Sequence, residues 1–150
     1  MRRLLVVGIL FLAFFVRVVN LSDFPAGFTP DEASFGYDAY SLLNTGKDQW
    51  GNSSPLSFKS FGDYKLPVYT YLTMPSVAFF GLNRFAVRFP NAVLGTLAVL
   101  FTYLLAQEMT GLRGKTDERV PLLSALLLAF SYWHIALSRG AFEANLKHSL

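Results

Sequence analysis

The chain has 150 residues, of which 53% are hydrophobic, 16% aromatic and only 15% charged, with a mean hydropathy of +0.38. Soluble domains carry about 25% charged residues, so the deficit, together with long apolar runs, points to an integral membrane protein. A net charge of +3 without a dense basic stripe argues against nucleic-acid binding, and the absence of cysteine excludes a disulfide framework or a Cys-based zinc site.

The first element is an apolar run, Leu4–Val19, behind Arg2 and Arg3. It exceeds a signal-peptide core and no small-x-small cleavage site follows, so it reads as a retained first span of about residues 4–20 with a cytoplasmic start. Arg17 near its far end either snorkels to headgroups or faces a polar cavity.

Residues 21–87 form a mixed loop rich in turn formers and aromatics. Its opening stretch, Phe28-Thr29-Pro30-Asp31-Glu32, has two readings. One is a helix start, with Thr29 as N-cap, Pro30 at the first helical position and Glu32 closing a capping box. The other is chemistry by Asp31 or Glu32 at the membrane surface. Local sequence favours the cap, and both hold if Glu32 caps while Asp31 stays free. An amphipathic helix is expected over 31–43, with Phe35, Tyr40, Leu42 and Leu43 available to pack and Asn44-Thr45-Gly46 as its stop. Trp50, Phe58 and Phe61 suit an interfacial belt. Residues 66–82 are apolar but number only 17, with Pro67 at the start and Pro75 inside. A crossing needs about 20 residues, so the expectation over 66–81 is a helix lying in the interface.

Two further spans are expected at about 88–108 and 120–138, with Gly95 available for close packing in the first and Pro121 opening the second. The loop between them, Gly111–Arg119, is short and basic and is therefore read as cytoplasmic. Both it and the N-terminus then face the cytoplasm, so an even number of crossings separates them. That holds only if 66–82 does not cross. The third span returns the chain outside and puts Ser138–Glu143 on the face that carries Asp31 and Glu32. The cations Lys59, Lys65, Arg84, Arg88 and Arg139 are candidate partners on that face. Glu143–Leu150 reads as a helix cut in mid-course, so the chain is expected to be the N-terminal part of a longer protein.

Carboxylates and cations on one membrane face suit phosphate chemistry: a cation fixes an anionic headgroup while a carboxylate takes a proton from an acceptor. Lys65 sits where an ammonium could hold a phosphate, or is simply a snorkelling lysine. Arg139 is a phosphate ligand or a membrane-edge anchor, and Glu143 a second acid or a solvated helix residue. Tyr132 and Trp133 fit a belt, and His134 reads as structural.

The order of these features carries a resemblance. A first span ending at Arg17 is followed by Asp31-Glu32, Trp50, Pro55, Lys65-Leu66-Pro67, Arg84, Arg88-Phe89-Pro90 and Ser138-Arg139-x-x-Phe142-Glu143. This order resembles the GT-C membrane glycosyltransferases, specifically the superfamily of protein O-mannosyltransferases and lipid A aminoarabinose transferases. The resemblance implies an all-α, multi-spanning enzyme of the cytoplasmic membrane and cell envelope with its active face outside. It would transfer a sugar from a polyprenyl-phosphate donor to a lipid, glycan or protein acceptor. Asp31 then falls on the base or acceptor-positioning residue, with Glu32 beside it as a catalytic candidate. Glu143 falls on a second acidic residue and Lys65 on a phosphate contact; in the transfer so implied, Arg139 would join Lys65 in stabilising the leaving phosphate. No cofactor is specified, and a divalent metal is compatible with the resemblance. The chain departs from the aminoarabinose transferases at Ser34, where they have Arg, at Tyr64, where they have Glu, at Leu66, which intervenes before Pro67, and at Glu143, where the acid is Asp. The competing readings are a non-catalytic membrane protein, such as a transporter or assembly segment, or an inactive fragment of the enzyme. The expected second and third spans carry few polar residues (Thr96, Thr102, Tyr103 and Ser124) where a transporter needs them, which weakens the transporter.

Overall fold

The computed structural model describes residues 2–53, 55–60, 63–112 and 119–141. It is mostly helical. The elements are α1 (Arg2–Val18), α2 (Pro30–Thr45), β1 (Phe58–Ser60), β2 (Asp63–Lys65), α3 (Pro67–Phe80), α4 (Arg84–Leu112), α5 (Arg119–Phe130) and α6 (Tyr132–Arg139). The chain divides into two compact units, Met1–Val19 with Ala92–Ser138 and Asn20–Asn91 with Arg139–Leu150. Glu143, Phe61, Phe142 and most of the expected basic loop lie outside the described residues.

In the first unit the core is built from small residues and one ring: Ala13, Val99, Tyr103, Ala125 and Ala129, with Val6, Ile9, Leu10, Leu122 and Leu128 packed around them. Large apolar side chains point the other way, Leu4, Phe11, Phe101 and Leu127 being mostly exposed. Small residues inside and bulky apolar ones outside is the pattern of helices that pack together in lipid. Within α4, Arg84–Gly111 is long and apolar enough to cross a bilayer. At 1.5 Å per residue its 28 residues reach about 42 Å, beyond a hydrocarbon core of about 30 Å. Helix α1, with 17 residues, falls short of the usual length.

The expected third span, 120–138, is not one straight helix. Helices α5 and α6 are bent by 56° at a break around Ser131, and they count as a crossing only if taken together. The break has a visible partner. In an unbroken helix the Ala129 carbonyl would take the N–H of residue 133; here the Arg17 guanidinium donates to it at 3.3 Å, as well as to the Ala13 carbonyl at 2.8 Å. Arg17 also bonds His134 Nδ1 at 2.7 Å. It is fully buried, so of the two readings it faces a polar interior and does not snorkel.

In the second unit α2, α3 and the start of α4 pack together through Phe35, Tyr69 and Val87, joined by Ala141, and through Ala39, Val77 and Ala86 beside Met74. Gly36 is required where α2 meets the start of α4, since a Cβ there would lie 2.6 Å from Val87 Cγ2. Of the four α2 residues expected to pack, Phe35 and Leu42 are buried while Tyr40 and Leu43 are exposed. Gly46 ends the helix in the left-handed conformation at φ 69°, its N–H bonding Leu42 O. Pro90 interrupts α4 and leaves the Ala86 carbonyl without a helical donor; the Ser76 hydroxyl of α3 donates to it at 2.7 Å.

Strands β1 and β2 pair antiparallel in the register Phe58↔Lys65, Lys59↔Tyr64 and Ser60↔Asp63. This pair was not expected. It also corrects the belt reading of Phe58, which is buried and meets Tyr71 edge-on at 5.8 Å, because β1 alternates inward and outward and Phe58 falls on the inner side. Trp50 is exposed, with Lys59 Nζ 5.1 Å from its ring centroid.

Candidate functional site

The start of α2 carries both predicted carboxylates and separates them. Thr29 is in extended conformation at the N-cap and Pro30 opens the first turn. The Glu32 N–H donates to Thr29 Oγ1 at 3.2 Å, and the Thr29 N–H donates to Glu32 Oε2 at 3.0 Å. The capping box is therefore closed. Because neighbouring residues in a helix point about 100° apart, fixing Glu32 inward turns Asp31 outward.

Glu32 is buried with Arg88. The Arg88 Nε–H donates to Oε1 at 2.7 Å, a terminal N–H to Oε2 at 3.1 Å, and the Ala141 N–H to Oε1 at 3.1 Å. The other Arg88 donors go to the carbonyls of Leu21, Pro25 and Gly27 at 3.1, 3.0 and 2.7 Å. All five guanidinium N–H groups are thus satisfied. Burial alone would push the Glu32 carboxyl up; the hydrogen bonds from Arg88, Thr29 and Ala141, with the Arg88 charge, hold it below the ordinary carboxylate value. Glu32 and Arg88 together tie α2, the loop 21–27, the start of α4 and residue 141.

Asp31 is different. Its side chain is 62% exposed, and Oδ1 lies 2.5 Å from Lys65 Nζ. Lys65, at the end of β2, is only 7% exposed, with Nζ 4.7 Å from the Phe35 ring centroid. The buried stem and the ring face fix the ammonium, and the strand register fixes the stem. Two residues 34 apart in the chain thus meet at the rim of the unit. A carboxylate with open solvent on one side and a held cation on the other can accept a proton from an incoming hydroxyl, and the cation can meet an anion.

Arg139 donates to the carbonyls of Asn20 and Phe24 at 3.3 and 3.2 Å, holding the same loop that Arg88 holds. The Asn91 amide donates to the Gly140 carbonyl. Among the described residues no group of three His, Asp or Glu side chains is placed to hold a metal ion.

Two buried acids, Asp38 and Asp48, escaped the sequence reading. Asp38, on α2, accepts the Gln49 N–H at 3.0 Å, Gln49 Nε2 at 3.2 Å and the Ser34 hydroxyl at 3.4 Å. Burial, with the nearby Asp48 charge, raises its carboxyl above the ordinary value against those bonds. The available signal was Ser34-x-x-x-Asp38, one helical turn apart on one face. Asp48 in turn organises its own loop, accepting the N–H groups of Trp50 and Asn52 at 2.9 and 2.8 Å.

A family model described as dolichyl-phosphate-mannose-protein mannosyltransferase matches residues 7–142. A protein of Aquifex aeolicus (strain VF5), described as an uncharacterized protein, is 32% identical over 120 residues, which is 72% of this chain and 22% of the relative. The chain therefore spans about a fifth of the length of that relative, at 22%. No solved structure matches the chain.

Proposed function

The chain belongs to the dolichyl-phosphate-mannose-protein mannosyltransferase family, and from that membership we propose that it forms part of a membrane glycosyltransferase using a polyprenyl-phosphate-linked sugar. Asp31 takes the proton of an acceptor hydroxyl. The acceptor oxygen attacks the anomeric carbon, the bond from that carbon to the phosphate oxygen breaks, and the polyprenyl phosphate leaves with the electron pair. Lys65 stabilises the charge that develops on that phosphate, as a preorganised cation does. Arg139 and Glu143 enter the reading as a second cation and a second acid. The active face is external, and the N-terminus cytoplasmic.

The observation that carries this reading is the Asp31–Lys65 pair, 2.5 Å apart, in a chain of this family. Glu32 is assigned a supporting part, since four donors already occupy its two oxygens. The test is Asp31→Asn in the full-length protein, assayed for sugar transfer in membranes alongside the amount inserted. Transfer is expected to disappear with insertion unchanged; normal transfer would sink the assignment.

A further inference from the structure

A cavity of about 540 Å3 lies in the second unit, and neither Asp31 nor Lys65 lines it. Its walls include Phe28, Leu82 and Val87, and its polar lining includes Tyr37, Asn83 and Arg84. Ser34 and Gln49 also line it but are spent on Asp38. Asn83 caps α4, its Oδ1 taking the Ala86 N–H at 2.8 Å. The Tyr37 hydroxyl and the Arg84 guanidinium remain. Neither has a hydrogen-bond or ion-pair partner among the described residues. The Arg84 guanidinium carbon lies 5.9 Å from the centroid of the Phe28 ring. An apolar cavity with a cation, a phenol and no carboxylate in its lining fits an amphiphile whose head is an anionic phosphate.

The adjoining surface says where such a molecule comes from. Helix α3 buries its hydroxyls, Thr70, Thr73 and Ser76 lying inside with Tyr69 and Val77, while Val68, Tyr71, Leu72 and Phe79 are exposed. Those four positions fall on one helical stripe. The exposed apolar run continues through Phe80 to Leu82, which is itself part of the cavity lining. A helix that hides its hydroxyls and shows its hydrocarbon is matched to lipid, not to water.

We propose that this cavity holds an anionic phospholipid of the surrounding bilayer, its phosphate on Arg84 and Tyr37 and an acyl chain against Phe28 and Leu82. The outer face of α3 lies in the same lipid. The assignment is independent of any chemistry at Asp31, and its readout is lipid retention, which the transfer assay does not report.

The test is native mass spectrometry of the full-length protein in detergent, offered equimolar phosphatidylglycerol and phosphatidylcholine. Wild type is expected to retain phosphatidylglycerol preferentially. Arg84→Gln should lower that retention about tenfold, the size of one lost charge-assisted hydrogen bond. Tyr37→Phe should lower it by less, and Asp31→Asn should leave it unchanged. Arg84 is exposed, so the variant should fold; a melting temperature that phosphatidylglycerol raises in wild type and not in Arg84→Gln provides a second measurement. Equal retention of the two lipids by wild type, or undiminished phosphatidylglycerol on Arg84→Gln, overturns the proposal. Displacement of phosphatidylglycerol by equimolar polyprenyl phosphate would assign the cavity to that lipid and overturn the bilayer source.

Discussion

Asp31 and Glu32 are neighbours of the same chemistry at the start of one helix, yet the two regions they enter are opposites. The Glu32 region is interior: both partners are at most 2% exposed, every donor of Arg88 is used, and backbone from the loop 21–27 and from residue 141 converges there. The Asp31 region is a rim, with one side chain 62% exposed and the other, Lys65, held from beneath. A buried, fully bonded pair holds segments together and has no capacity left for a substrate. A half-open pair contributes little to stability, because exposed ion pairs are worth about 0–1 kcal/mol, and its capacity is directed outward. The helix turn of about 100° between adjacent residues assigns one carboxylate to each task.

The comparison breaks if the two sites respond alike to substitution. The largest expected effect is on transfer by Asp31→Asn in the full-length enzyme: a loss on the order of 10²–10⁴-fold, the usual contribution of a positioned base, with the melting temperature unchanged. Next is Arg88→Met, which strands the Glu32 carboxylate in the interior. It should cost about 3–5 kcal/mol in thermal or denaturant unfolding. Gly36→Ala should cost about 1–3 kcal/mol by overpacking against Val87, measured in the same way.

Acid sharpens the contrast within the interior itself. The Glu32 carboxyl is held below its ordinary value, so its stabilisation is present above the ordinary carboxylate range and is lost as pH falls through the lowered folded value. The Asp38 carboxyl is raised, so its sign is reversed: protonating it on the way down from neutral pH favours the folded state. A pH series of melting temperatures should show both limbs. Glu32→Gln should flatten the acid loss, and Asp38→Asn, the smallest effect, should remove the preceding gain. The same slope in both variants would contradict the assigned directions.

The cap at Thr29–Glu32 was legible because a capping box is local, closed within four residues by backbone geometry. So were the ends of α2 and α3, each set by a proline at the start and a glycine after the end. The meeting of Asp31 with Lys65 was legible only as membership of one face, since the distance depends on a strand pair too short to show an alternating pattern. Arg88 stood among five candidate cations, and nothing local distinguished it as the partner of Glu32. The bend between α5 and α6 was invisible for a plainer reason: it contains no proline or glycine, and the group that takes up its carbonyl comes from Arg17, 112 residues earlier.

The reach of the Glu32 contacts also bears on how the chain is made. The capping box can form as soon as the first turn of α2 exists. The Arg88 guanidinium lies 56 residues further on, and the Ala141 N–H 109 residues further on. At a synthesis rate of roughly 5–20 residues per second, that final donor arrives about 5–20 s after Glu32. Until those donors emerge the carboxylate must stay in contact with water or headgroups, so the second unit closes around it only after residue 141 has been made. Locking α2 against the start of α4 therefore trails the making of α2 by at least the 56 residues to Arg88, an interval timed by the ribosome.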